Sequence, residues 1–270
     1  MLCNKRNRKK AHDVRLFFAA TLSLLASPLL AGEPGLQLIT SLQYYDSREY
    51  AGSGDRLNRE VGWLPGIGGR WQRALSSQVD VALTGEYAQG RIDYDGQTQT
   101  GTPFDSDTYV RLFRLGGDVG VCLLACRASL NGGLAWYGRD RDIQGHSGVS
   151  GLYEEYRWLE WTLGGRWHAG NRQQVTFGAE WFGVTDAEMM IDLRSFGGGE
   201  PVVTLPDSSG RRVRLAYRFA DRPISLSLTH EWLAIDVSDA ILVNLDSGPV
   251  LVNEPESRAE HWKLGLNWHL

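Results

Sequence analysis

The side chains that could do chemistry in this chain are mostly carboxylates, gathered between apolar stretches. Asp93, Asp95, Asp105 and Asp107 form one group, and Asp186, Glu188, Asp192, Glu200 and Asp207 a second. Asp236, Asp239, Asp246, Glu254 and Glu256 form a third. Carboxylates at this density either make a solvated, repulsive face or attract cationic peptides and divalent ions. Histidine is sparse. His146 stands beside Ser147 in "IQGHSGVSG", but sequence neighbours are rarely a catalytic pair, and a serine hydrolase would also need an acid. His230 falls on an apolar phase next to Trp232 and reads as an interface residue, while His168 belongs to a short turn. Cys122 and Cys126 in "VCLLACR" are spaced for a disulfide closing a tight turn, with two free thiols as the alternative. A metal site would need further Cys or His ligands nearby, and none is present, so neither metal nor cofactor is predicted.

The elements that carry these residues have a period of two. The last ten residues, "HWKLGLNWHL", alternate Trp262, Leu264, Leu266, Trp268 and Leu270 with polar or small residues. Such alternation puts the two sets on opposite faces of a strand. The same pattern recurs in 36–45, 66–75, 79–89, 109–119, 128–138, 159–167, 175–181, 213–219 and 224–232, which makes ten strands. Pro65 donates no ladder hydrogen bond, so the second strand either starts after it or bulges there. Connections after even-numbered strands are short. Those after odd-numbered strands are long, near 46–60, 90–107, 139–152, 185–211 and 236–258. Strict long–short alternation predicts a closed antiparallel transmembrane β-barrel with short periplasmic turns and long external loops. Trp136, Trp161, Trp167, Trp181, Trp232, Trp262 and Trp268 all lie on the apolar phase, as an interfacial girdle requires.

Residues 1–31 carry five basic residues by Lys10, then "LFFAATLSLLASPLLA", and end on the small residue Ala31. This is the pattern of a cleaved secretory signal, leaving 32–270 as one barrel domain bound for a bacterial outer membrane. The whole chain has a formal charge of −4; without 1–31 it holds 22 Lys+Arg against 31 Asp+Glu, about −9, with Lys263 as its lone lysine. An acidic balance of this kind excludes a nucleic-acid partner. The inward phase carries both signs: Arg70, Glu86, Arg114, Asp118, Arg127, Asn131, Glu160, Arg166, Glu180, Arg214, Arg218, Glu231, His261, Lys263 and His269. Buried charges demand partners, so an ion-paired, plugged lumen is the expectation, with a narrow channel as the alternative. Arg111 and Arg157 share the outward phase near the external ends of their strands, where lipopolysaccharide phosphates would meet them.

Ten strands, acidic external loops and "Asp93-Tyr-Asp95" above the third strand resemble the omptins, outer-membrane endopeptidases that cut beside basic residues. The resemblance implies an Asp-x-Asp pair at Asp93 and Asp95 in the second external loop, with an Asp–His pair in the fourth that activates water. Asp186 is available for the latter, but residues 185–211 contain no histidine. Without that base the expected protein is a non-enzymatic barrel whose acidic loops meet a surface partner, and an omptin-type peptidase acting on cationic peptides is the alternative. The terminal strand also resembles the signal read by the barrel assembly machinery, ending in Leu270 with Trp268 two residues before.

Overall fold

The computed structural model describes residues 35–98, 101–146, 148–170 and 174–270; residues 1–31 and Ser147 lie outside these. The strands are β1 (Gly35–Tyr50), β2 (Arg56–Ala74), β3 (Val79–Gln97), β4 (Pro103–Leu123), β5 (Ala128–Ile143), β6 (Leu152–Ala169) and β7 (Val175–Asp192). There follow β8 (Val202–Thr204), β9 (Ser208–Arg218), β10 (Ile224–Ile235), β11 (Ile241–Leu245), β12 (Gly248–Val252) and β13 (Glu256–His269). One short 3-10 turn, Arg194–Phe196, is the helical content of the described residues. Ten strands form the wall, each antiparallel to its neighbours, with β9, β10 and β13 completing the order that β1–β7 begin. The ring closes where Gln37 of β1 meets His269 and Tyr50 meets Glu256. The alternation that persists to the chain end therefore belongs to a strand paired on both edges, with β1 on one side and β10 on the other.

Outside, the wall is apolar where lipid would touch it. Leu38, Leu42, Ile67, Leu115, Leu134, Leu163, Leu215, Leu228 and Leu264 are all exposed. An aromatic row tops this band through paired rings: Tyr44 with Trp63 (5.1 Å), Phe113 with Trp136 (4.6 Å), Trp161 with Trp181 (4.7 Å) and His230 with Trp262 (4.3 Å). Two of these rings lie over glycines. A Cβ on Gly138 would fall within 2.0 Å of the Phe113 ring, and one on Gly183 within 2.4 Å of Trp161. Glycine there supplies a flat seat for the neighbouring strand's aromatic.

The strands run far beyond that row. β4 has 21 residues, about 70 Å of chain at ~3.3 Å per residue, against an apolar band only ~25 Å tall. Much of the predicted loop sequence is therefore strand: β2 starts at Arg56, β3 continues to Gln97, β4 starts at Pro103 and β7 continues to Asp192. The physical reason is a reversal of polarity at constant parity. In β3, Leu83 and Tyr87 face out among inward Thr84 and Glu86; further up, Arg91, Asp93 and Asp95 are exposed and Ile92 and Tyr94 are buried. In the water-surrounded half the barrel is apolar inside, as a soluble β-protein is. Its core joins Tyr45, Leu64, Ile92, Val110, Tyr137, Tyr156, Trp158, Phe182, Met189, Val203, Leu233 and Val243. Pro65 sits within β2 opposite Leu42, and the β2–β3 ladder skips 62–65 while keeping its register.

The β4–β5 turn holds Leu124, Ala125 and Cys126 at φ of 52°, 52° and 62°. Three consecutive non-glycine residues in the left-handed region cost ~1–2 kcal/mol each. The Cys122–Cys126 disulfide, with Cα atoms 4.6 Å apart, spans this turn and holds it.

Replacing Gly183 with Val drives a side chain into the Trp161 ring. The expected cost is ~1–3 kcal/mol of folding stability, with Trp161 displaced. Urea titration of the refolded barrel in vesicles, followed by heat-modifiable gel migration, measures it.

Candidate functional site

Two clusters gather the polar chemistry, one inside the membrane-level barrel and one at its external mouth. The first is a mesh of ion pairs, some between adjacent strands and some reaching across intervening ones. Arg70 on β2 holds Asp118 on β4 at 2.8 Å, Arg114 on β4 holds Glu160 on β6 at 2.7 Å, and Lys263 on β13 holds Glu86 on β3 at 2.7 Å. Arg212 is the hub, reaching Glu231 at 2.6 Å, Glu160 at 3.2 Å and Glu180 at 3.3 Å. Arg166 links Asp118 to Glu180 at 3.3 and 3.7 Å, and Asn131 donates to Glu180 at 3.2 Å. The side chains of this mesh line a polar lumen of about 520 Å³ that continues to the short-turn end, where Cys122, His168 and His269 line it. Above it the stacked Tyr137–Trp158 pair (4.3 Å), Tyr45, Phe182 and Leu233 fill the bore. The inward residues predicted from the alternation are thus part of the lumen or its mesh, apart from Arg127, which lies in the β4–β5 turn.

The mouth cluster was not predicted from sequence. Four carboxylates, Glu49, Glu60, Glu154 and Glu254, surround Arg139 and Arg141, and all six side chains are buried or nearly so. Arg141 pairs with Glu49 (2.6 Å), Glu60 (2.9 Å) and Glu154 (2.7 Å), while Thr108 donates to Glu60 at 2.6 Å. Arg139 lies over the Tyr156 ring at 3.7 Å. Burial, and then the neighbouring Glu49 and Glu154 carboxylates, push the Glu254 carboxyl well above the ordinary range despite Arg139 and Arg141. Glu49 is raised too, chiefly by burial. Glu254, expected among the solvated loop acids, is instead buried, because the segment after β12 folds back into the mouth. A run of Glu at 49, 60 and 154, each in phase with buried apolar neighbours, was the available signal.

The omptin-like positions are not brought together. Asp93 and Asp95 project from the outer face of β3 on either side of buried Tyr94, and Asp95 is bound by Arg56 at 2.5 Å. Asp186 is exposed on β7, with three strands between it and β3 around the ring, in a bulge with φ of 50°. There two residues of β7 (186 and 187) stand opposite one residue of β6, between the Arg157–Glu188 and Leu159–Thr185 pairings. His146 stacks on Phe104 at 4.8 Å rather than facing any of these acids. His168 meets Thr176 at 3.0 Å, and His230 meets Glu260 at 2.9 Å. Several predicted loop acids are already neutralised: Asp107 by Arg91, Asp192 by Arg194 and Glu256 by Arg258. Arg111 and Arg157 lie together on the outer face, sharing Asp140 at 3.6 and 2.7 Å, with Arg157 also 3.0 Å from Glu155. Among the described residues no group of three or more His, Cys, Asp or Glu side chains is arranged to hold a metal ion.

A closed ten-stranded antiparallel wall, apolar outside and charged within, defines the outer-membrane β-barrel class of fold. Among solved structures the chain is similar to the outer-membrane protease OmpT of Escherichia coli, with a TM-score of 0.52 and 10% identity over 90% of this chain and 99% of that one. It is also similar to the translocator domain of the autotransporter NalP from Neisseria meningitidis, with a TM-score of 0.44 and 11% identity over 96% and 95% of the two chains. At these identities the likeness is one of fold. No protein-family pattern and no curated protein sequence matches the chain.

Removing the hub tests how the mesh is held. An Arg212→Ala variant leaves Glu160, Glu180 and Glu231 facing one another with less compensation, and a broken buried pair costs ~3–5 kcal/mol. The expected outcome is a lower urea midpoint for the gel-mobility transition, partly restored by the further change Glu231→Gln.

Proposed function

We propose that this chain is an exported, integral protein of the bacterial outer membrane that works as a non-enzymatic, non-conducting barrel, presenting its external face to a surface partner. The observation that carries the reading is the double filling of the bore. An ion-paired mesh centred on Arg212 and an apolar layer through Tyr137, Trp158 and Phe182 both cross it. Solutes entering the 520 Å³ lumen from the short-turn end would meet both layers. The positions that the omptin resemblance implies as catalytic, Asp93 and Asp95 on β3 and Asp186 on β7, are exposed away from the bore with three strands between them. General-base assistance contributes ~10²–10⁴-fold to rate, so its loss leaves little peptidase activity. In this reading residues 1–31 are removed on export, and the assembly machinery reads β13. Arg111 and Arg157, just above the Phe113–Trp136 pair, contact lipopolysaccharide phosphates in competition with Asp140.

A second reading, an omptin-type endopeptidase acting on cationic peptides, draws on the exposed Asp93–Asp95 pair at the external end of β3. One experiment separates the two. Refolded protein with lipopolysaccharide is incubated with peptides containing paired Arg or Lys, and the same preparation is placed in planar bilayers. The expected outcome is no cleavage and no discrete conductance. Cleavage that vanishes in an Asp93→Ala, Asp95→Ala double variant would establish the peptidase instead, and stepwise conductance would establish a channel.

A further inference from the structure

The β11–β12 hairpin forms a lid over the external mouth. Its inner side chains, Ile241, Val243, Leu245, Val250 and Val252, pack on the external core, with Val243 buried. Residues 236–255 leave and rejoin the wall at adjacent strands, β10 and β13. At the base, Ser238 N–H donates to the Glu254 carbonyl at 3.0 Å, and Glu254 N–H donates to Ser238 Oγ at 2.9 Å. The Glu254 side chain, 2% exposed, continues from this base into the barrel. There both of its oxygens lie 3.1–3.2 Å from the Tyr156 hydroxyl, which is also 3.0 Å from Glu154 Oε2.

A phenol has one hydrogen to donate. Glu154 Oε2 is held by Arg141 at 2.7 Å, and it accepts that hydrogen from Tyr156. The Tyr156 oxygen can then satisfy Glu254 only as an acceptor, so Glu254 must bring its own proton as a neutral carboxylic acid. Charge counting agrees. Glu49 from β1, Glu60 from β2 and Glu154 from β6 face the two guanidiniums of β5, Arg139 and Arg141; with Tyr94 of β3 as a neutral phenol, a fourth carboxylate would add buried negative charge with no cation left for it. We propose that Glu254 is a proton-carrying latch, holding the external hairpin shut over the mouth as a neutral acid and releasing it on ionisation.

The sign follows from linkage. In the open state Glu254 is solvated and ionises near the ordinary ~4.3, whereas in the closed state the proton is held to higher pH. Closure is therefore firmest in acid and weakens as pH rises, by one proton, or about tenfold in the opening equilibrium per pH unit. Above the closed-state value it weakens no further. Opening would uncover Glu49, Glu60 and Glu154 beneath the lid, a mouth of net negative charge.

Hydrogen exchange of the refolded barrel in lipid tests the latch, with peptides covering 241–252 corrected for the intrinsic exchange rate between about pH 5 and about pH 9. The expected result is lid protection that falls with pH, about tenfold per unit over part of the range, while wall peptides from 224–235 stay unchanged. Glu254→Gln remains neutral, donates its own N–H to Tyr156, and should make lid protection independent of pH. Tyr156→Phe removes the acceptor of the Glu254 proton and should lower lid protection in acid, while burial of Glu254 keeps the fall with rising pH. Heat-modifiable migration verifies that both variants fold. A flat profile in the unmodified protein, or the same slope in Glu254→Gln, would overturn the proposal.

Discussion

Everything in this molecule depends on backbone closure. In hydrocarbon a strand edge has no water for its N–H and C=O groups, and each group left unpaired costs several kcal/mol. The β1–β13 ladder, from Gln37–His269 to Tyr50–Glu256, removes the last free edge. Once the ring is fixed, every other feature has a fixed direction. Odd residues of β3 look outward and even ones inward over its full length, whatever their chemistry. The wall sets geometry and the surroundings choose the side chains. Lipid selects Leu and Trp outside, and the narrow bore selects charges that can reach each other across one or two intervening strands.

That division explains what was legible in the sequence. Ten strands, their phase and the ring were readable because lipid-facing residues such as Leu226, Leu228, Leu264 and Leu266 repeat with an unmistakable period. The upper halves were not, because the period remains while the apolar set changes face. Ile92 and Tyr94 among Arg91, Asp93 and Asp95 look like a polar loop when apolar means outward. The bulge at Asp186 hides β7 in the same way, since two residues opposite one shift the alternation so that Ala187, Met189 and Ile191 become the inward set. The ionisable lumen residues were visible as types, but their partners were not. Lys263 and Glu86 are 177 positions apart and meet only because the ring brings β13 and β3 within reach.

The site followed the same logic. Asp93 and Asp95 match a spacing, but spacing in a strand also decides the face, and residues two apart on β3 at this parity point off the barrel. Glu254 went unrecognised for the opposite reason. Nothing in "VNEPES" marks a glutamate that turns back into a protein interior; that depends on Ser238 pinning the segment from the far end of the hairpin.

The external core carries a consequence for the order in which the molecule is made. Its members come from β1 to β8, from β10 and from the hairpin, among them Tyr45, Leu64, Ile92, Val110, Tyr137, Tyr156, Phe182, Val203, Leu233 and Val243. The complete cluster exists only when strands from most of the ring and the hairpin are brought together. The upper strand segments must first cross to the water side and the ring must close before these residues can find one another. Collapse of an apolar interior in water is thus the final act of maturation, performed on top of a wall already committed to lipid. One chain folds in two solvents, and the membrane comes first.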